Sequence, residues 1–543
     1  MCCAPDSGCQ PKSCETWASY GQPLAENDPS LDSSRSDWDT RYTQLNTEQQ
    51  RRWRLLAVFP ASFDHAATDA IWALAGIVAS DALGDLVGRG LLSFDPDSQR
   101  YRLSGVARVF AGARLSAAER AEAGRRHAAH YRDMLAAAKG LYKQDSESVA
   151  RGLALFELEA SNILAGQAWA AADAGQDDGA ARVASDYADA WVFLQHRPWP
   201  ERVRWLEAGL AGARRLHDRP AQCRHLLSLG FAYGDLSETR REIECYEQGL
   251  AIAHEIADQA SEIICLLSLG SIYYNLGEPD KAADCYAPCA VIARETGQRR
   301  LECLALDRLG DTDAKRGEPR RALERYQEAL QVAREIADHG QEMGVLNNLG
   351  YAHFELGDFR QAIECHEHAL TIARERANRH QEGLAVRHLG VAYRLLGEPD
   401  RAIEFAKQAL AIDHALEDPR QESQDLSNLG HALRETGELR PAIECYTQAL
   451  TIDRALGERA WQRNDLSNLG LTYVEQGEPQ PALQFLEQAL VIDRELRKRQ
   501  WESRDLNILA DAYEALGQPG RALACYEQAL VIDRELGDEP EEA

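Results

Sequence analysis

Positive charge is in short supply in this chain. Sixty Lys and Arg stand against 87 Asp and Glu, a formal net charge of −27 over 543 residues. A nucleic-acid binder needs basic side chains clustered against phosphates, so that class is set aside. The acidic excess fits a solvated surface that keeps a long chain dispersed. No apolar run is long enough to cross a bilayer, which argues against a membrane partner. No basic segment leads into an apolar stretch at the N-terminus, so a cytoplasmic location is expected. Catalytic signatures are missing too: there is no G-x-x-x-x-G-K-[ST], no H-E-x-x-H and no G-x-S-x-G. Fifteen histidines are present but do not converge. No enzyme activity, cofactor or metal is therefore expected. Cys2, Cys3, Cys9 and Cys14 lack the paired C-x-x-C spacing of a zinc knuckle.

What is present is repetition. Leu-Gly recurs every forty residues from Leu229-Gly230 to Leu469-Gly470, and Leu509-Ala510 closes the series. A second glycine follows seven residues on (Gly277, Gly317, Gly357, Gly397, Gly437, Gly477, Gly517), and an alanine five after that, from Ala282 to Ala522. A fixed period of this size marks a solenoid, in which each unit buries its apolar face against its neighbours. Such an array offers a long surface, not a catalytic cleft.

One copy, residues 341–380, shows how a unit is built. Val345, Leu346, Leu349, Gly350 and His353 have helical spacing, and Gly357-Asp358 is a stop. Ala362, Ile363, His366, Ala369, Leu370 and Ala373 make a second apolar stripe. Proline opens this second helix at Pro279, Pro319, Pro399, Pro479 and Pro519, where its missing N–H costs nothing. Pro288 breaks the pattern inside a helix and predicts a local kink, borne on a solvent face or bending the array. Cys245, Cys285, Cys365, Cys445 and Cys525 share one slot, about a repeat apart, and read as small core or semi-core residues. The expected fold class is all-α: a right-handed α-solenoid of helix-turn-helix units preceded by a small winged-helix domain.

The repeat resembles the tetratricopeptide repeat. The likeness rests on Leu-Gly, Tyr273, Tyr393, Tyr473 and Tyr513, the second glycine, the alanine, and Tyr246, Tyr286, Tyr326, Tyr446 and Tyr526. The forty-residue period is similar to that of kinesin light chains and Pins-type adaptors. Ser237, Glu242 and Asp313 depart from the pattern.

Four regions are expected. Residues 1–45 read as a disordered tail. Residues 46–138 read as a winged-helix-like domain, with strands at 91–94 and 100–103 around the Asp95-Pro96-Asp97 turn. Residues 139–220 read as linker helices and a degenerate capping repeat in which Trp191, Trp199 and Trp205 cover the open end. Residues 221–540 are eight tetratricopeptide repeats. Three stretches, 56–60, 83–92 and 101–103, resemble the winged-helix element of signal-transduction ATPases of the STAND (NB-ARC) type. Residues 125–135 and 152–170 resemble their linker helices. The phosphate-binding loop of those ATPases is absent, so ATP binding is not carried over. The helix near 81–89 has one arginine and two aspartates, a poor reader of DNA.

Comparing the copies separates scaffold from reader. Positions at −3, −2, +1, +4 and +5 from the Leu-Gly glycine vary. In tetratricopeptide arrays that face of the first helix lines a concave groove. Here it carries Tyr274, Asn275, Arg308, Asn347, Asn348, Tyr351, Arg387, His388, Arg394, Asn428, His431, Arg434 and Asn468. Asparagine amides can both donate to and accept from a peptide backbone, and arginine grips carboxylates. The expected function is a non-enzymatic scaffold or sensor that holds a protein or peptide segment, acidic where Arg387, Arg394 and Arg434 cluster. Two alternatives stay open: a self-assembling homo-oligomer whose last repeat leaves Leu523, Tyr526 and Leu530 near an uncovered end, and a regulatory subunit that docks on a separate STAND-type ATPase.

Overall fold

The computed structural model describes residues 30–74, 77–142, 146–190 and 199–538. The tail before residue 30 with its four cysteines, Trp191 and the side chain of Trp199 lie outside the described residues. The chain falls into two compact units, residues 1–265 and 266–543. Among the described residues no helix is long and apolar enough to cross a membrane.

The first unit begins earlier than the sequence suggested. Ser30–Thr43 is a helix, within the stretch expected to be disordered. Its apolar content is low, but Trp38 and Tyr42 are four apart and share one face. Trp38 stacks on Trp53 with centroids 6.0 Å apart, and Tyr42 meets Phe110 edge-on, also at 6.0 Å. Two aromatic anchors replace the continuous stripe that a periodicity count looks for.

The next helix, Thr47–Leu55, starts at a full capping box: Asn46 accepts from the Gln49 amide while Gln49 reaches back to Asn46 N–H, each at 2.9 Å. The first strand starts two residues later and ends one later than expected, and the second ends one residue earlier. Ser93–Asp95 pairs antiparallel with Arg100–Arg102, Phe94 opposite Tyr101. Asp95 closes the turn by accepting from Asp97 N–H (3.1 Å) and Ser98 Oγ (2.5 Å). Phe63 adds a bridge on the other edge of the second strand, exchanging both backbone hydrogen bonds with Tyr101 at 2.8 and 2.9 Å. Trp53, Leu56, Phe59, Phe63, Ile71 and Leu83 form the centre of the core. The hairpin is tied to helix Ser146–Asp173 by Arg100, whose guanidinium makes two hydrogen bonds to Glu159 at 2.6 and 2.9 Å with both side chains buried. Helices Asp178–Ala188 and Trp199–Arg215 pack closely. A Cβ on Gly212 would lie 2.3 Å from the Ala181 carbonyl oxygen. Trp205 is buried there against Tyr187.

The second unit is a regular succession of helix pairs. His339–Glu355 and Phe359–Glu375 are one pair; Arg379–Leu395 and Pro399–Ala415 are the next. The turn within each pair needs a left-handed residue, supplied by Gly357 at φ +77°. Asp358 N–H then returns to the His353 carbonyl at 2.9 Å, closing the helix end. The turn between pairs also takes a left-handed residue, and there Ala337, Ala377 and Glu417 adopt φ of +52° to +54° without a glycine. The helix containing Pro288 runs unbroken from Pro279 to Glu295, with the proline on its exposed side. Cys245 and Cys525 are buried, Cys285, Cys365 and Cys445 half-buried, and none of the five is in a disulfide.

Candidate partner-binding groove

In the pairs of Gly270, Gly310, Gly350, Gly430 and Gly470, the Leu-Gly glycine lets the second helix press a large side chain against the first. A Cβ on Gly310 would sit 2.5 Å from the Tyr326 ring, on Gly350 2.6 Å from His366, on Gly430 2.7 Å from Tyr446 and on Gly470 2.5 Å from Leu486. The glycine thus makes room for a ring, not only for close helix axes. Tyr286, Tyr326 and Tyr446 thread through to the face of the first helix. Their hydroxyls bond Ser271 (3.1 Å), Asp311 (2.8 Å) and His431 (3.1 Å), each one residue past the glycine.

The thirteen expected groove residues divide into three groups. Asn275, Arg308 and Tyr351 are exposed, Tyr351 to 53% and stacked on Phe354 at 6.2 Å. Tyr274, Asn348, His388, Arg394, Asn428, His431 and Arg434 are half-buried. Lys315 Nζ covers the Tyr274 ring at 4.2 Å and donates to its carbonyl at 2.7 Å.

Asn347, Arg387 and Asn468 are buried, which corrects the expectation that varying positions have nothing to do with packing. Asn347 donates to Gln381 of the next repeat at 3.2 Å, and its carbonyl oxygen meets His366 at 3.4 Å. Asn468 reaches His431 of the preceding repeat at 3.5 Å. Arg387 donates from Nε to Asp425 at 2.6 Å and from a terminal nitrogen to Asp413. For Asn347 and Arg387, both at position −3, the physical reason is angular: one residue turns a helix by about a quarter-circle, so −3 faces the neighbouring repeat while −2 lies nearer the open face. Asn468 is at position −2 and is buried by its contact with His431.

The arginine cluster is also neutralised. Arg394 pairs with Glu435 at 2.7 Å and Arg434 with Glu475 at 2.6 Å, each reaching one repeat onward. The locally basic stretch expected at Arg387, Arg394 and Arg434 is therefore a set of ion pairs. Asn348 belongs to a similar rung, donating to Asp307 (2.9 Å) and Asp311 (3.3 Å) of the repeat before. Burial, with the Asp311 charge adding to it, pushes the Asp307 carboxyl up to about 6. Burial holds the histidines neutral: His388 falls to about 4, with Arg387 lowering it further, and His431 to about 3, with Arg394, Arg434 and Arg504 contributing. His366 and His388 lie ring to ring at 4.8 Å. The face thus presents amides, neutral imidazoles and an aromatic ring more than net charge.

The aspartates that receive Arg387 were missed from the sequence, although a signal existed. Asp413, Asp453, Asp493 and Asp533 share one slot, and Asp425, Asp465 and Asp505 another. A charged residue recurring in a column between apolar neighbours marks a buried polar contact.

A tetratricopeptide-repeat profile matches residues 262–335, 341–414 and 424–495, and a second one matches 506–540. These are tetratricopeptide repeats. Among solved structures, the chain is similar to a STAND protein with a tetratricopeptide-repeat sensor from Pyrococcus horikoshii, at 18% identity and TM-score 0.46, over 79% of this chain and 66% of that one. The chain thus covers just under two-thirds of that protein's length. It is also similar to a putative kinesin light chain with tetratricopeptide-like repeats from Podosopora anserina, at 23% identity and TM-score 0.33, over 35% of this chain and 94% of that one. A third is the apo form of the quorum sensor NprR from B. thuringiensis, at 14% identity and TM-score 0.45, over 65% of this chain and 98% of that one. No curated protein matches.

Proposed function

We propose that the tetratricopeptide repeats hold an extended segment of another protein along the varying face of their first helices, and that the chain works as an interaction scaffold or sensor without catalysis. The observation that carries this reading is the division of labour within each repeat. Rings and glycines recur at the pair interface, while one face of the first helices carries Asn275, Arg308, Asn348, Tyr351, Asn428 and His431, at positions whose residues change among the copies although asparagine recurs at 348, 428 and 468. Amide side chains along such a face can bond a peptide backbone in both directions.

The finer reading keeps an acidic segment as the partner. Its carboxylates would compete with Glu435 and Glu475 for Arg394 and Arg434. Removing those competitors sharpens the test. With an immobilised library of short acidic peptides, Glu435→Gln/Glu475→Gln in the full chain should bind more tightly than the parent, and Tyr351→Ala/Asn428→Ala more weakly. Equal binding by all three proteins would reject the groove.

Two further readings have their own support. Residues 46–138 are read as a winged helix because the hairpin follows the helix Ile77–Gly88 and gains its third edge from Phe63. In that role the first unit would dock on a STAND-type ATPase carried elsewhere. Self-assembly is favoured by Leu523, Leu530 and Val531 on the last helix, about half exposed. A mass by light scattering that stays at one chain across a dilution series removes that second possibility.

A further inference from the structure

The column of rings has one vacancy. Sixteen residues after each Leu-Gly glycine the second helix supplies Tyr286, Tyr326, His366, Tyr446 or Leu486, but in the repeat of Gly390 it supplies Ala406. The neighbouring Phe405 does not fill the space, since its ring stacks on Tyr393 at 5.3 Å and 6°. A Cβ placed on Gly390 would meet only ordinary contacts at 3.5 Å, to backbone atoms of Ala402 and Ala406 and to the Phe405 Cβ. The polar partner of the missing ring has changed as well: where Ser271, Asp311 and His431 receive a tyrosine hydroxyl, this repeat has Val391.

A small cleft opens where the ring would lie. Gly390, Val391, Ala402 and Ala406 form its apolar side. Arg387, Arg394, Asp425 and Asn428 form its polar side. Asp425 is 1% exposed; its Oδ1 accepts from Arg387 Nε, and among the described residues its Oδ2 has no hydrogen-bond partner. An oxygen left without a donor on a buried carboxylate that lines a cleft is a costly arrangement that a bound group can relieve. The space is that of a single water-sized group.

Size and chemistry together select the occupant. A carboxylate is repelled by Asp425, an ammonium by Arg387 and Arg394, and an amide is too large. A hydroxyl donates to Asp425 Oδ2, accepts from Asn428 or Arg394, and lets an adjacent methyl rest on the alanines. We propose that this cleft is the anchor site for the hydroxyl of one serine or threonine of the peptide held along the repeats. The inference rests on the groove reading above and adds a sequence preference to it.

The test uses the full chain and a library of short random peptides. Binders are resynthesised with each threonine changed to valine, which keeps the shape and removes the hydroxyl. At one position this should weaken binding about tenfold. In Ala406→Tyr, which restores the ring found in sister repeats, parent and valine peptides should bind equally and weakly. Gly390→Ala, whose new methyl meets no clash, narrows the same cleft and serves as the second variant if Ala406→Tyr unfolds. Peptides that bind both variants as tightly as the parent chain, or that show no hydroxyl preference, overturn the anchor site while leaving the groove standing. A library that yields no binder at all rejects the groove and the anchor with it.

Discussion

Two seams in the second unit are built on the same frame and solved differently. At the first, Arg387 lies between Asp413 and Asp425; at the second, Asp453 and Asp465 meet beside the Ser423 and Ser427 hydroxyls, with no arginine paired to either among the described residues. All four aspartates are at most 2% exposed. One guanidinium offsets one of two charges at the first seam and none at the second. Asp453 Oδ2 and Asp465 Oδ2 have no hydrogen-bond partner among the described residues, and a shared proton would give them one. Desolvation dominates there, pushing Asp465 up to about 8 and raising Asp453, while the Ser427 and Ser423 hydroxyls pull the other way. A third seam, Asp493 and Asp505 on Arg463, returns to the first solution. Repeat arrays tolerate different polar seams because each repeat answers only to its neighbours.

The largest effect expected is from breaking an arginine seam. Arg463 donates to Asp493 at 2.7 Å and pairs with Asp505 at 3.2 Å, all three 3% exposed or less. Arg463→Ala leaves two buried carboxylates without their cation and should cost about 3–5 kcal/mol by denaturant unfolding. A loss below about 1 kcal/mol would mean the seam is wet.

The serine seam is tested by pH. A carboxyl whose folded-state value is raised to about 8 contributes stability that is complete below its unfolded value, near 4, and is lost as pH rises through 8. Groups facing the pair include Ser423, Ser427, Glu458 and Tyr446; Glu458 raises Asp453 further. Asp465→Asn should therefore flatten the fall in unfolding midpoint between about pH 4 and about pH 8, the range set by these two values. A parent chain with no such fall contradicts the shared proton.

Glycines sharpen the contrast between filled and vacant repeats. Gly310→Ala drives a methyl into the Tyr326 ring and should cost about 1–3 kcal/mol, whereas Gly390→Ala should cost about 1 kcal/mol or less. Equal losses would show that Ala406 leaves no extra room. The smallest effect belongs to the turns between pairs. Ala337→Gly relieves a left-handed alanine at φ +52° and should raise stability by up to about 1 kcal/mol in thermal unfolding.

Much of the fold was legible because one rule repeats. Leu349-Gly350, Gly357 and Ala362 each mark a different feature of the same helix pair, and the copies agree. Helix Ser30–Thr43 was not legible, since its anchors are two aromatics in a polar stretch and their partners lie on later helices. For the groove, Tyr351 and Asn275 fall on the outward face as expected, while Asn347 and Arg387, one residue away from outward positions, turn into the seam. Variation alone does not tell a reader from a seam residue that changes together with its partner.

The groove itself is tested most directly by position-specific crosslinking. A photoreactive residue in place of half-buried Asn428, on a first helix, is compared with one in place of exposed Val491, on a second helix. The account predicts that a bound peptide is captured from position 428 and not from 491. Capture from 491 alone would contradict it.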